Sequence, residues 1–128
     1  MTVFDTNFLV SLLRDRAGIL KAEADLIEHP KTTTINVYEL YYGAKRSAKP
    51  EDSLLKVDSL LKSIDILGFD KTAALRAANI QAELMNSGRP VNILDVLIAG
   101  IVMANNEEIL TRDSEHFSRI SGLRWRRW

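Results

Sequence analysis

Hydrophobic positions along this chain fall into short continuous runs and into longer runs at helical spacing, a pattern typical of strands that alternate with amphipathic helices. The strand-like runs are short, and several are rich in β-branched residues, which favour extended backbone. We therefore expect a mostly parallel sheet, because strands separated by helices pair in that way. The predicted strands are Thr2 to Phe4, Thr32 to Ile35, residues 64–69, residues 108–111 and an edge strand over residues 123–128.

The intervening segments place apolar side chains three and four positions apart, as helices with one buried face do. Pro50 and Asp70 are typical first residues of helices, and residues 92–104 are almost wholly apolar, which predicts a central helix. In the helix that begins at Pro50, we expect Leu54, Leu55, Val57, Leu60 and Leu61 to face inward. The predicted helices are Asn7 to Arg14, residues 17–28, Val37 to Arg46, a helix from Pro50, Asp70 to about Ser87, residues 92–104 and a short turn over residues 114–120.

Length and composition narrow the class of protein. The chain has 128 residues, which fits one domain over residues 1–128, and neither repeats nor linkers interrupt it. Its 17 basic and 17 acidic residues give no net charge, so overall charge does not predict a polyanionic partner. It contains no cysteine, no apolar run long enough to span a bilayer and no leader-like start. We expect a soluble, cytoplasmic protein without a membrane partner.

Four acids occupy similar places in the predicted layout. Asp5 follows the first strand, and Glu39 is expected in the first turn of the helix after the second. Asp95 is expected in the first turn of the central helix, and Asp113 lies two residues beyond the strand over residues 108–111. In open α/β sheets, such strand-to-helix joints lie together at the carboxyl ends of the strands, where ligands bind. The four carboxylates are therefore expected to share one cleft.

Helix capping is the simpler explanation for each acid taken alone. Asp5 and Asp113 precede helices, while Glu39 follows Asn36, and Asp95 follows Asn92, at capping-box spacing. Capping does not explain why Asp95 shares its predicted helix face with apolar residues such as Ile98 and Val102. A buried carboxylate needs a cation, and oxygen ligands favour Mg²⁺ or Mn²⁺.

Carboxylate-held metal ions at a sheet edge commonly act on phosphate esters, and one or two ions suffice. Such chemistry requires no histidine base. His29 is expected at a helix end and His116 in a short exposed turn, so both are interpreted as structural or surface residues.

Several segments resemble the PIN-domain nucleases, and most closely their VapC-type toxins. The similarity covers Thr2 to about Arg127 and is carried by FDTNFLVSLL near the start, NVYELYYG, GRPVNILDVLIAG and ILTRDSEHFSRISGL. The last of these contains a T-x-D-x-x-H-F arrangement from Thr111 to Phe117. Gly100 and Ile101 differ from common family residues without expected effect on the chemistry, and Asn36, in place of the usual Ser or Thr, is still expected to cap its helix.

This resemblance implies a PIN-like three-layer α/β/α sandwich and a metal-dependent endoribonuclease, the toxin of a toxin–antitoxin pair. It further implies a homodimer, an RNA substrate and a cognate antitoxin whose tail enters the cleft. Thr6 and Asn7 would line that cleft, and Thr111 would support Asp113. Asp5, Asp95, Asp113 and Glu39 would form the catalytic, metal-binding quartet for one or two Mg²⁺ or Mn²⁺ ions.

Positive charge and aromatic rings offer candidate RNA contacts. One basic cluster is Lys45, Arg46 and Lys49, after the Glu39 helix. Tyr41 and Tyr42 could serve a partner or dimer surface, or belong to the core. The other cluster comprises Arg112, Arg119, Arg124, Arg126 and Arg127 with Trp125 and Trp128, for which a charge-protected edge strand is the slightly favoured interpretation.

Two other functional classes require residues that this sequence lacks. A haloacid-dehalogenase-type phosphatase needs a second acid where Asn7 stands, and a phosphate-receiving signalling domain needs paired acids that VFDTN lacks. Two alternatives remain open: a PIN nuclease of RNA processing that is not a toxin, and a non-catalytic binding module whose acids only cap helices.

Overall fold

A five-stranded, all-parallel sheet lies at the centre of the computed structural model, which describes residues 2–15 and 17–128. The strand order across the sheet is β3-β2-β1-β4-β5, so the direction of chain progression reverses at β1. Such a reversal leaves a crevice at the carboxyl ends of the central strands, because the connections on its two sides leave in opposite directions. The strands are β1 (Thr2–Phe4), β2 (Lys31–Thr33), β3 (Asp65–Leu67), β4 (Glu108–Thr111) and β5 (Arg124–Arg127).

Helices cover both faces of this sheet, which confirms the predicted three-layer α/β/α sandwich. Neighbouring residues of a strand point to opposite faces. Val3 and Ile109 therefore belong to the core beneath one helical layer, whereas Phe4 and Leu110 belong to the core beneath the other. The described helices are α1 (Thr6–Leu13), α2 (Ile19–Asp25), α3 (Thr34–Lys45), α4 (Pro50–Leu61), α5 (Lys71–Asn86), α6 (Ile93–Ala104) and α7 (Ser114–Phe117).

Helix α6 packs unusually closely against α5 at Gly100. A Cβ atom on Gly100 would lie 2.8 Å from the Ala73 carbonyl oxygen and 2.8 Å from the Ala77 Cβ. These distances are shorter than packed atoms tolerate, so glycine and two alanines set the separation of the helices. The same helix α6 carries Asp95 in its first turn.

Several predicted boundaries and one predicted face are wrong. Strand β2 ends at Thr33, and α3 begins at Thr34 rather than at Val37, because the Thr33 hydroxyl accepts the Asn36 N–H at 3.2 Å and begins the helix earlier. Helix α2 is shorter than residues 17–28 and has no buried residue. Leu55 is 67% exposed rather than facing inward, since its position lies on the outer side of α4.

Within the described residues, no helix combines the length and apolar character needed to cross a lipid bilayer.

Candidate active site

The four acids selected from the sequence line one open cleft of about 260 Å³ at the carboxyl edge of the sheet. Asp5 directly follows β1, and Asp113 follows β4 by two residues. Asp95 lies in the first turn of α6, and Glu39 is on α3. Parallel pairing of β1 with β4 and with β2 brings these distant segments to one edge.

Asp5 is the most deeply buried of the four acids, with 5% of its surface exposed. Its Oδ2 accepts a 2.6 Å hydrogen bond from Thr111 Oγ1, and its Oδ1 accepts bonds from the Thr6 N–H at 2.9 Å and Asn36 Nδ2 at 3.1 Å. Burial raises the pKa of Asp5 above its usual value, although these three donors oppose the rise. The side chain is therefore fixed in orientation while its negative charge remains poorly compensated.

Glu39 is connected to the same network through Thr6. Thr6 Oγ1 donates to Glu39 Oε1 at 2.8 Å and accepts a 2.9 Å bond from Asn36 Nδ2. Asn36 is fully buried, and Thr33 Oγ1 donates to its Oδ1 at 2.7 Å. Burial also raises the pKa of Glu39, against the lowering effect of the Thr6 hydrogen bond.

The predicted capping role of Asn36 and its capping-box pairing with Glu39 are wrong. Helix α3 begins at Thr34 and is capped by Thr33, so Asn36 lies inside the helix and Glu39 lies beyond its first turn. The Asn36 side chain instead orients Asp5 and Thr6. A buried amide with one acceptor and two donors suits this task, because it can receive from Thr33 while donating to its other neighbours.

Asp95 and Asp113 converge on His116. The His116 Nδ1 atom lies 3.2 Å from Asp95 Oδ2 and 3.0 Å from Asp113 Oδ2. Burial, followed by the Asp113 charge, raises the pKa of Asp95 to about 6. Burial alone lowers the pKa of His116, but the two carboxylates outweigh it, so the pKa is raised overall.

The interpretation of His116 as a structural or surface residue in a short exposed turn is wrong, because its side chain is half-buried and lines the cleft. One signal could have identified it: Asp113 and His116 are three positions apart at a helix start, a spacing that brings side chains to one side. His29, by contrast, is exposed and lies four positions beyond the end of α2.

Thr6, Asn7 and Thr111 were predicted to support the site. Thr6 and Asn7 line the cleft. Thr111 is fully buried; besides donating to Asp5, its hydroxyl accepts the Asp113 N–H at 2.9 Å. Thr111 thus contacts the Asp113 backbone and the Asp5 carboxylate at once.

Helix capping accounts for only part of this arrangement. Asp5 does accept an N–H of α1. At the start of α6, however, Asn92 accepts the Leu94 N–H at 2.8 Å, and Asp113 makes no side-chain capping bond to α7. Glu39, inside α3, is not at a helix end. Helix capping therefore does not account for the positions of Glu39, Asp95 and Asp113.

The donor set fits a divalent metal ion. One ligand atom from each of Asp95, Asp113 and His116 can be chosen so that all three lie within 4.8 Å of one another. No lysine or arginine of the described ranges forms an ion pair with any of the four acids. Carboxylate oxygens favour hard cations, and a single imidazole nitrogen is compatible with Mn²⁺.

The two basic clusters differ in the contacts that their side chains make. Lys45, Arg46 and Lys49 are exposed, and Arg46 lies 5.7 Å from the centre of the exposed Tyr42 ring. Tyr41 donates to Asp58 at 2.6 Å. In the C-terminal cluster, Arg112 stacks on Trp128, Arg126 pairs with Glu108, and Arg124 donates to the Asn106 carbonyl.

The family model for the PIN domain matches residues 2–123. The chain belongs to this family of α/β proteins, which confirms the resemblance read from its motifs. It is 31% identical to the tRNA(fMet)-specific endonuclease VapC of Shigella flexneri and 29% identical to that of Salmonella typhimurium. Each comparison covers 98% of this chain and 96% of the relative.

Solved structures give the same result for the fold. DNA-bound VapBC from Salmonella typhimurium matches with a TM-score of 0.93 at 29% identity, covering 99% of this chain and 97% of that one. VapBC2 from Rickettsia felis, bound to a DNA fragment from its promoter, matches with a TM-score of 0.93 at 25% identity. That match covers 99% of this chain and 98% of the other.

Proposed function

We propose that this protein is a metal-dependent endoribonuclease and the toxin of a VapBC-type toxin–antitoxin pair. The observation that carries the proposal is the convergence of Asp5, Glu39, Asp95 and Asp113 on one cleft with no basic partner but His116 in the described ranges. Full-length similarity to proteins named VapC ribonucleases supports the same activity.

In this proposal, Asp5, Asp95 and Asp113 hold one or two Mg²⁺ or Mn²⁺ ions, and Glu39 binds a second ion or orients a water molecule. When bound, such ions lower the pKa of water and neutralise charge on a phosphate. The protein's contribution is to fix the carboxylates in advance, so that little reorganisation is needed on binding. Thr111, Asn36 and Thr6 provide this through their hydrogen bonds to Asp5 and Glu39.

RNA is the proposed substrate, and initiator tRNA is the first candidate to test, since two relatives are named for cleaving it. The fold supports RNA cleavage but does not select a sequence, because RNA specificity depends on loop shape and unstacked bases. A cognate antitoxin is the proposed partner, since similar structures are complexes of VapB with VapC. We also propose a homodimer, in agreement with the family resemblance.

Cleavage of total RNA in Mg²⁺ tests the activity. The wild-type protein should cut RNA with Mg²⁺ and stop when EDTA is added, and Asp95→Asn should abolish cleavage and weaken Mn²⁺ binding. Asp52→Asn is the matched control, because Asp52 is exposed in the first turn of α4, away from the cleft. Cleavage that survives EDTA, or an active Asp95→Asn, would contradict the proposal.

Expression in cells tests the role as a toxin. Induction should arrest growth, and co-expression of the neighbouring antitoxin gene should restore it, whereas Asp95→Asn should be harmless alone. A nuclease of RNA processing that is not a toxin would cut RNA in the first assay without antitoxin-dependent arrest in this one.

A further inference from the structure

A second pocket is lined by residues of two segments that also contribute to the acidic cleft, and its lining is mainly basic and polar rather than acidic. It is open, has a volume of about 270 Å³ and is bordered by Arg89, Arg119 and the hydroxyls of Ser87, Ser118 and Ser121. The apolar residues Ile80 and Leu84 of α5 and Ile120 after α7 also line it. Two guanidinium groups and several hydroxyls around one concavity are donors that suit a phosphate group.

The turn that ends α5 places Arg89 at this pocket. Gly88 adopts a left-handed backbone conformation with φ of 66°, and the Arg89 N–H donates a 2.9 Å hydrogen bond to the Leu84 carbonyl oxygen. This bond pattern closes a helix C-terminus and reverses the chain direction. The Arg89 side chain is exposed and makes no hydrogen bond or ion pair with the rest of the described chain. Its donors are therefore available to a ligand.

Arg119 is the fixed member of the pair. One of its Nη atoms donates to the Pro90 carbonyl at 3.1 Å, and the other contacts Glu115 at 3.3 Å. A guanidinium has five N–H donors, so these contacts leave several free while holding the group in place. The bond to Pro90 also connects the segment after α7 to the connection between α5 and α6.

The pocket and the acidic cleft are neighbours along two segments of chain. Asn92, which lines the cleft, follows Arg89 by three positions, a backbone span of at most ~10 Å. His116 of the cleft precedes Arg119 by three positions. A polyanion lying across the cleft can therefore place a second phosphate in the pocket.

We propose that this pocket, which we term the Arg89–Arg119 pocket, binds a backbone phosphate of the RNA beside the phosphate that is cut. The inference rests on the proposed function. A protein with no net charge and an acidic cleft needs positive charge near that cleft to bind RNA, and this pocket would supply it. Arg89 supplies donors without a partner in the described chain, and Arg119 supplies a preorganised contact. Glu83, on the α5 side, is the one acid among the residues that line the pocket and opposes the phosphate.

Binding of a fluorescein-labelled single-stranded RNA of mixed sequence, measured at several salt concentrations, tests the pocket. All variants are made in Asp95→Asn to prevent cleavage. Arg89→Ala should weaken binding on the order of fivefold at low salt and reduce the slope of log affinity against log salt by about 0.7, the value for one single-strand phosphate. Arg89→Lys should keep the slope, because the charge is retained.

Two further variants show whether the change in RNA affinity comes from the pocket. Glu83→Gln should strengthen binding, because it removes the opposing charge. Lys71→Ala, an equal loss of charge at an exposed position in the first turn of α5, at the opposite end of the helix from the pocket, should leave affinity and slope nearly unchanged. Thermal melting of each variant checks that the fold is intact.

Three other outcomes would contradict the proposal that the pocket binds an RNA phosphate. If Arg89→Ala matches Lys71→Ala while the wild-type protein still cuts RNA with Mg²⁺, the pocket proposal fails and the proposed function stands. If Arg89→Ala weakens only antitoxin binding, the pocket recognises a protein instead. If the wild-type protein neither binds nor cuts RNA, the proposed function fails and the phosphate site fails with it.

Discussion

Thr111 donates a 2.6 Å hydrogen bond to Asp5, although 106 positions separate these two residues in the chain. Parallel pairing explains the contact: Phe4 lies opposite Leu110, so the next residue on each segment reaches the same level at the sheet edge. Because Thr111 also accepts the Asp113 N–H, one buried hydroxyl orients two of the proposed metal-binding residues. The central strands therefore define the geometry of the site directly.

Replacing Thr111 should impair metal binding more than it impairs the fold. Thr111→Val keeps the shape of the side chain but removes the donor to Asp5, so the pKa of Asp5 should rise further. We expect Mn²⁺ affinity to fall about 10-fold to 100-fold, as is typical for loss of a group that orients a metal ligand. Titration followed by electron paramagnetic resonance measures this. Thr111→Ser retains the hydroxyl and should bind nearly normally; equal affinity in Thr111→Val would contradict the assigned role.

Asp95 should make the metal-free protein less stable as the pH rises. Its pKa is about 6 in the fold against 3.8 in an ordinary environment, so between these values the unfolded chain releases a proton that the folded chain keeps. The free energy of unfolding therefore falls from about pH 4 to pH 6, by about 1 to 2 kcal/mol after allowance for solvent screening.

Asp95→Asn removes this titration. It also removes the Asp95 contribution to the raised pKa of His116, so the comparison is made mainly between pH 4 and pH 6, where His116 is protonated in both proteins. In EDTA, urea unfolding should show a stability advantage for Asp95→Asn that is small near pH 4 and grows toward pH 7. With Mn²⁺ present at pH 7, the order should reverse, since only the wild-type protein gains stability from the ion. A constant difference across this pH range would contradict the pKa assignment.

The sequence was sufficient to predict the sheet, most helices and the gathering of the four acids. Those predictions depend on periodic apolar positions and on the rule that parallel strands bring their carboxyl ends together. Asp5 and Asp95 stood out because a charged residue among apolar neighbours is costly without a partner. Helix capping remained an alternative explanation for these acids, because residue type alone does not distinguish a helix-capping residue from a metal ligand.

The errors concern residues whose environment depends on tertiary contacts. The run TTTI has strong β preference, but capping by Thr33 ends the strand and begins α3 there. That shift moves Asn36 from a cap to the interior, where it contacts Asp5. His116 was misplaced for a similar reason: its two carboxylate partners come from different elements, and only the folded chain brings Asp95 to it.

His116 should affect the choice of metal. If its nitrogen joins Asp95 and Asp113 as a ligand, His116→Gln should weaken Mn²⁺ binding more than Mg²⁺ binding, because Mg²⁺ depends less on nitrogen donors. Competition titrations of the two ions measure the ratio. Nitrogen hyperfine coupling in the Mn²⁺ spectrum should be present in the wild-type protein and lost in the variant. An unchanged affinity ratio with no such coupling would limit His116 to hydrogen bonding.

Two glycine-to-alanine substitutions should change stability in opposite directions. Gly100→Ala places a Cβ 2.8 Å from backbone and side-chain atoms of α5, so the helices must separate, and we expect a loss of about 1 to 3 kcal/mol. Gly43→Ala in α3 meets nothing within 4 Å, so the better helix propensity of alanine should stabilise the protein by about 0.5 to 1 kcal/mol. Urea unfolding measures both.

The same pair tests whether the α5–α6 contact positions Asp95. Since α6 carries Asp95 while its contact with α5 lies more than a turn away, Gly100→Ala should also weaken Mn²⁺ binding, whereas Gly43→Ala should not. Comparison with Ala77→Gly in the Gly100→Ala background provides the control, because removing the opposing Cβ relieves one of the two close contacts. Partial recovery of both stability and Mn²⁺ affinity is expected; recovery of stability alone would show that the helix separation does not control the site.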